Sequence, residues 1–348
     1  MGIFREIVQI LVVGFVIMGL LPYGFDPNFL ALVCIYAILA LSLGFIWGFG
    51  GILCFGQAAF FGLGAYAFAI AALNFGSAWG PLAIGIIVPA AFAFVLGALL
   101  FYGRLSDVYL AVVTLVITLI LYKFMNSTAG EIYVIGTARL GGYNGIPGYE
   151  TLTLPWNPDE YIYEERLYYF AFCFLLVLYG ALRFLLRSAF GRALIGVREN
   201  ELRAELMGYD IRWIKTLTFT LGAAMAGLAG ALYANWAEIV TPNLFSLRQS
   251  ADIIIWVIVG GAGTLAGPIV GAAVLGVLKI FLGEQSLVDN TLIMGVILIL
   301  AILLMPRGLI PALTGVVTRL RGTRRLRATS RSPRARRQSQ PAERRRES

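Results

Sequence analysis

An all-α, polytopic membrane helical bundle of about ten transmembrane helices is the fold class this sequence predicts. Three observations carry that expectation. Of the 348 residues, 59% are hydrophobic and only 13% are charged, against about a quarter charged in a typical soluble domain. Apolar runs recur along most of the chain, and lipid, which offers the backbone no hydrogen-bond partner, admits only helices or closed barrels. The runs do not alternate in polarity, as barrel strands of about 10 residues do.

A helix crosses the hydrocarbon with about 20 apolar residues. On that measure spans are expected at 7–21, 29–47, 52–73, 82–102, 108–125, 167–186 and 214–236, followed by 246–260, 264–282 and 290–306. The first follows a lone Arg5, and Leu20-Leu21-Pro22-Tyr23 stands where a cleavage site of small residues would be needed. A retained helix is therefore expected there. The stretch 246–282 is too long for one crossing, and Gly260-Gly261-Ala262-Gly263 interrupts it. It reads as two helices, either of which is a candidate for a short or re-entrant one. Small residues at helical spacing, Gly222, Ala226 and Gly230, with Ala223, Gly227 and Ala231 beside them, suit close helix packing in lipid.

Loop charge sets the orientation. The loop 187–213 carries Arg187, Arg192, Arg198, Arg203 and Arg212, whereas 126–166 carries Arg139 and Arg166 against six acidic residues. The first is expected in the cytoplasm and the second outside. The formal charge of +8 belongs to the tail: residues 319–348 hold twelve Arg and two Glu, leaving the other 318 residues at −2. Nucleic acid is thus not an expected partner of the folded part. Two domains follow: a transmembrane domain over 1–311 and an Arg-rich cytoplasmic tail over 312–348. The tail's composition predicts disorder, with contact to anionic lipid as the functional alternative.

Several chemistries are excluded. There is no His, which removes imidazole acid–base catalysis, Ser–His triads and imidazole metal sites. Cys34, Cys54 and Cys173 all lie in apolar runs and read as small packing residues. None of the three lysines follows the glycine of a phosphate-binding loop. Asp252 is the only carboxylate well inside an expected span, with Arg248 four residues before it, so ion-coupled transport has thin support. No catalytic residues, metal site or bound cofactor is expected; any energy for pumping must come from a separate subunit. The stretch Gly191–Gly208 reads as one short amphipathic helix, with Ala193, Leu194, Val197, Ala204, Leu206 and Met207 on its apolar side and Glu199, Glu201, Arg203 and Glu205 on its wet side. Gly208 is its expected stop. Such a helix fits a groove on a partner; the alternative is a solvated loop lying on the membrane.

Six short motifs carry a family resemblance across roughly residues 29–311. They are Gly48-Phe-Gly-Gly-Ile-Leu-Cys-Phe-Gly-Gln-Ala-Ala-Phe-Phe-Gly-Leu-Gly-Ala-Tyr66, Gly141-Gly-Tyr-Asn-Gly145, the 191–208 stretch with Arg198-Glu199-Asn200-Glu201 and Met207-Gly208-Tyr209, Ala226-Gly-Leu-Ala-Gly-Ala-Leu-Tyr233, Val259–Ala272, and Met305-Pro-Arg-Gly-Leu309. Together they resemble the permease subunits of branched-chain amino-acid ABC importers, and Gly141–Gly145 resembles the M-type subunit. That family includes urea and short-amide importers. Ile46-Trp47-Gly48 and Ile255-Trp256-Val257 resemble the urea version somewhat, and Gln57 stands where many members carry His.

The resemblance implies a multi-pass protein of the bacterial cytoplasmic membrane with both termini in the cytoplasm. It implies an H-type permease partner, two cytoplasmic ATPase subunits that use ATP and Mg, and an external substrate-binding protein. It gives 191–208 the role of docking on the ATPase, through Arg192, Val197, Arg198, Glu199, Glu201, Glu205 and Gly208. It also suggests that the Gly-rich stretches shape the substrate pathway, through Gly56, Gln57, Phe60, Gly64, Asn144, Gly260, Gly261 and Gly263. Helix packing is the alternative for those positions, and a passive facilitator is the alternative for the chain.

Overall fold

The computed structural model describes residues 18–19, 21–76, 79–103, 106–154 and 157–283, with the single positions 295, 299, 308 and 309. Among them, six helices are long and apolar enough to cross a membrane. These are α1 (Pro27–Gly48), α2 (Gln57–Phe75), α3 (Trp79–Tyr102), α4 (Asp107–Ser127), α5 (Glu164–Arg187) and, after two short helices, α8 (Ile211–Ala237). The short pair is α6 (Ala189–Glu199) and α7 (Glu201–Leu206); α9 (Leu247–Gly260) and α10 (Ala266–Gly283) close the described bundle. The expected spans 7–21 and 290–306 fall almost wholly outside the described residues.

Local chemistry sets the ends. The Asp26 side chain accepts from the Asn28 amide at 3.0 Å and Pro27 opens α1, a position where its missing N–H is harmless. Asp210 caps α8 by accepting from the Trp213 amide at 3.1 Å. Helix α5 begins with Glu164 and Glu165 and ends with Arg187, charges that complement its dipole. One expected boundary is corrected. The span read at 52–73 starts only at Gln57, because Gly51–Gly56 runs as irregular chain; apolar composition alone does not distinguish a buried connection from a helix.

The core lies where α1, α2 and α8 meet, and these three are mostly buried. Helices α3, α4 and α5 bury a third or less of their apolar length, as suits helices facing lipid or another subunit. Cys34 and Cys54 are buried as expected, but Cys173, on the outer side of α5, is exposed. The α2–α8 contact is at backbone distance: a Cβ at Gly64 would fall 2.5 Å from Gly227 Cα. The small-residue stripe of α8 thus does what its spacing predicts.

The interrupted stretch 246–282 forms an antiparallel hairpin. A Cβ at Gly260 would strike the Gly267 carbonyl, and one at Gly271 the Trp256 carbonyl. Helix α9 has 14 residues, about 21 Å, too short to cross alone. It starts midway along α2, where the preceding 3-10 turn Pro242–Phe245 sets the Phe245 ring 5.5 Å from that of Tyr66. The hairpin tip then reaches the end of α1, with the Ala262 carbonyl against Gly48.

The connections sort onto two ends. At the acidic end, loop 128–163 and the segment after α8 form, among the described residues, three two-stranded antiparallel ladders that the sequence reading did not foresee: β1 (Val134–Ile135) with β2 (Ala138–Arg139), β3 (Ile146–Pro147) with β6 (Ile239–Val240), and β4 (Thr153–Leu154) with β5 (Asn157–Tyr161). Asn74 binds the Ile135 carbonyl and the Thr137 amide there, at 3.0 and 2.8 Å. Trp79 Nε1 donates to the Thr153 carbonyl at 2.9 Å, and the Leu152 amide donates to Asn235 Oδ1 at 2.7 Å. At the opposite, Arg-rich end lie the α1–α2 connection, the start of α4, and α6–α7.

Candidate coupling and pathway sites

The α1–α2 connection is gripped from two sides. The Phe55 amide donates to Thr114 Oγ1 of α4 at 3.2 Å, and Gly56 is in backbone contact with Thr114. At the other side, Arg198 of α6 donates to the Gly48 carbonyl at the end of α1, a place where helix carbonyls run short of backbone donors. The aliphatic stem of Arg198 lies over Gly51.

Gln57 opens α2 and is 1% exposed. Its Nε2 donates to Ser42 Oγ of α1 at 2.7 Å and to the Gly222 carbonyl of α8 at 3.3 Å. Its Oε1 is buried and makes no hydrogen bond within the described residues. Phe60, one turn on, packs its ring against Phe219 and Phe92 at 5.3 and 6.3 Å. Gly56, Gln57, Phe60 and Gly64 therefore share one helix start, enclosed by α1, α3, α4 and α8. Gly260 and Gly261 are buried in the hairpin tip, Gly261 with φ of 105°, and Gly263 is exposed there. The Gly48–Ala262 contact brings this tip to the α1–α2 connection. Asn144 is not brought to them: it is exposed in the turn Gly142–Asn144 at the acidic end.

The segment 191–208 is not one helix. Asn200, at φ −162° and ψ 104°, ends α6 and caps α7, its Oδ1 accepting from the Arg203 amide at 2.8 Å. A carboxamide that bonds the next turn's backbone favours a cap over a helix interior, and this overrides the apolar periodicity. Gly208 is the stop that its type predicts, at φ 86°. The apolar side is also corrected. Ala193, Leu194, Val197 and Ala204 are buried, whereas Leu206 and Met207 are 81% and 70% exposed and stand outward with Leu202. Glu199 and Glu205 are exposed, and Arg192 donates to the Arg187 carbonyl at 2.9 Å. Glu201, read from sequence as part of a wet docking face, contacts the ammonium of Lys215 on α8.

The sequence model of the branched-chain amino acid transport system / permease component family matches residues 27–305. The chain belongs to this family. The permeases it resembles include the high-affinity branched-chain amino acid transport system permease protein LivM of Escherichia coli, 30% identical over 80% of this chain and 68% of that one. The probable LivM of Methanocaldococcus jannaschii is 26% identical over 80% and 90%. An H-type relative, LivH of Salmonella typhimurium, is 23% identical over 79% and 91%. The resemblance to the M-type permeases therefore holds across the bundle. No solved structure matches. The permease is accordingly a multi-pass membrane transport component. Sequence reasoning missed Ser42, Thr114 and Lys215 as partners of its predicted sites; the available signal was a hydroxyl or a lone cation inside an otherwise apolar run.

Proposed function

We propose that this chain is the M-type permease subunit of an ATP-driven importer that carries branched-chain amino acids across the bacterial cytoplasmic membrane by alternating access. It pairs with an H-type permease, takes substrate from an external binding protein docked near loop 128–163, and receives work from two cytoplasmic ATPase subunits that use ATP and Mg. The Arg-rich end faces the cytoplasm, with both termini there, and about ten crossings complete the bundle.

The observation that carries this reading is the linkage at the Arg-rich end. A short amphipathic pair, α6–α7, buries one face on the bundle, presents Leu202, Leu206 and Met207 outward, and is bonded through Arg198 to the connection before Gln57. A partner that pushes on α7 moves the entrance to α2. Apolar side chains that stand exposed outside the lipid-facing spans mark an interaction surface. The pathway role rests on Gln57, whose unmatched Oε1 is a hydrogen-bond acceptor held among α1, α2 and α8.

The test is co-purification of the ATPase subunits with the Leu206→Asp/Met207→Asp variant. The reading predicts intact expression of the permease pair and at least tenfold less bound ATPase, since two desolvated carboxylates oppose docking. Undiminished ATPase binding and stimulation would place the docking surface elsewhere.

A further inference from the structure

Lys215 occupies a junction that the docking role of α7 does not by itself require. It lies in the second turn of α8 and is 9% exposed. Its ammonium contacts Glu201 at the start of α7, lies 3.7 Å from Asp107 Oδ1 in the first turn of α4, and sits 5.9 Å over the Phe101 ring near the end of α3. One cation rooted in the central helix thus meets three separate segments.

Those segments differ in how firmly they are held. Helix α8 is enclosed by α1, α2 and α3, whereas α4 buries only a minor part of its length. Helix α4 is in turn bonded to the far side of the α1–α2 connection, through Thr114 and the Phe55 amide. The coupling segment therefore reaches that connection by two routes. Arg198 holds it directly at Gly48. Glu201, Lys215 and Asp107 reach it through α4, at Phe55 and Gly56.

We propose that Lys215 is a positioning residue for transport, which passes movement of α7 to α4 by exchanging its ammonium between Glu201 and Asp107. The inference rests on the importer reading above. The physical basis is that an ammonium has three donors on a flexible stem, and two carboxylates at unequal distance from it form an arrangement with two discrete states. Withdrawal of Glu201 by an ångström or two leaves Asp107 as the nearer anion, and the start of α4 is drawn toward α8. Packed helices convert such small shifts into one of two arrangements rather than a graded response. Asp107 also lies in the first turn of its own helix, where a negative charge is favoured, and Glu201 is half exposed to water, so each carboxylate tolerates the state in which the ammonium is on the other.

The experiment uses the assembled transporter in proteoliposomes, comparing Lys215→Met, Asp107→Asn and Lys215→Arg with the unsubstituted chain. Two quantities are read: leucine taken up per ATP hydrolysed, and the distance between spin labels at Val108→Cys on α4 and Leu99→Cys on α3, in a Cys173→Ser background, with and without ATP. Both label positions are largely exposed. The expected result is normal ATPase recruitment and basal hydrolysis in all variants. Uptake per ATP falls at least tenfold in Lys215→Met and Asp107→Asn and recovers in Lys215→Arg, and the ATP-dependent change in the α3–α4 distance is lost in the first two. Asp107 is exposed by more than half, so its variant reports even if Lys215→Met folds poorly. An unchanged uptake ratio and an unchanged distance shift in Asp107→Asn overturn the proposal, as does an α4 that does not move with ATP in the unsubstituted chain. Failure of the unsubstituted chain to recruit ATPases overturns the importer reading as well; recruitment with undiminished coupling in the variants overturns this inference alone.

Discussion

Gly64→Ala tests the packing that centres the bundle. The Cβ of an alanine there would lie 2.5 Å from Gly227 Cα and 2.7 Å from its carbonyl carbon. Non-bonded carbons sit comfortably at about 3.5–4.0 Å, so α2 and α8 must separate by about 1 Å. Both sides of the contact are backbone, so no side-chain rotation relieves it. Overpacking of this kind costs about 1–3 kcal/mol, which lowers the melting temperature by roughly 1–2 °C per kcal/mol for a chain of this size. Gly180→Ala in α5 is the control, because a Cβ there meets nothing within 4 Å. It trades a poor helix former for the best one and is expected to be neutral or to stabilise by up to about 1 kcal/mol. The assay is thermal unfolding of both variants in one detergent. Equal stability of the two would refute the backbone-contact account of the α2–α8 interface.

Two further substitutions address the sites. Gln57→Leu keeps the side-chain volume and removes the amide that bonds Ser42 and Gly222; stability is expected to fall by about 0.5–1.5 kcal/mol and uptake at matched protein by tenfold or more. Uptake that merely follows the folded fraction would reduce Gln57 to a packing residue. Asn235→Ala removes the acceptor of the Leu152 amide and leaves that N–H buried, a change worth about 1–3 kcal/mol. Hydrogen exchange at Leu152 should accelerate accordingly, with α8 itself unaffected, and unaltered exchange would show that the loop is held by other contacts.

Much of the fold was legible because lipid imposes one strong rule. Long apolar runs had to be helices, and α1, α3, α4, α5 and α8 fall where hydropathy places them. Loop charge separated the two ends, and Gly260–Gly263 marked the hairpin tip. The misses have a common cause. Residues 51–56 are apolar yet irregular, since Gly51 and Gly56 break the helix while Ile52 and Cys54 still bury their side chains. Asn200 split a segment whose periodicity read as continuous, because one side-chain cap outweighs a weak propensity. Leu206 and Met207 fell on the apolar side of a helical wheel but face outward, as the wheel does not know where α7 turns. The partners of Gln57 and Glu201 lie 15, 165 and 14 positions away in sequence, and only packing brings them together.

The most direct test of the central claim is uptake of labelled leucine and labelled urea into proteoliposomes that hold this chain with an H-type permease, ATPase subunits and binding protein, each with ATP and with a non-hydrolysable analogue. The importer account predicts leucine accumulation that requires hydrolysis and no accumulation of urea. Leucine entry that proceeds equally without hydrolysis, or hydrolysis-dependent uptake of urea in its place, would contradict it.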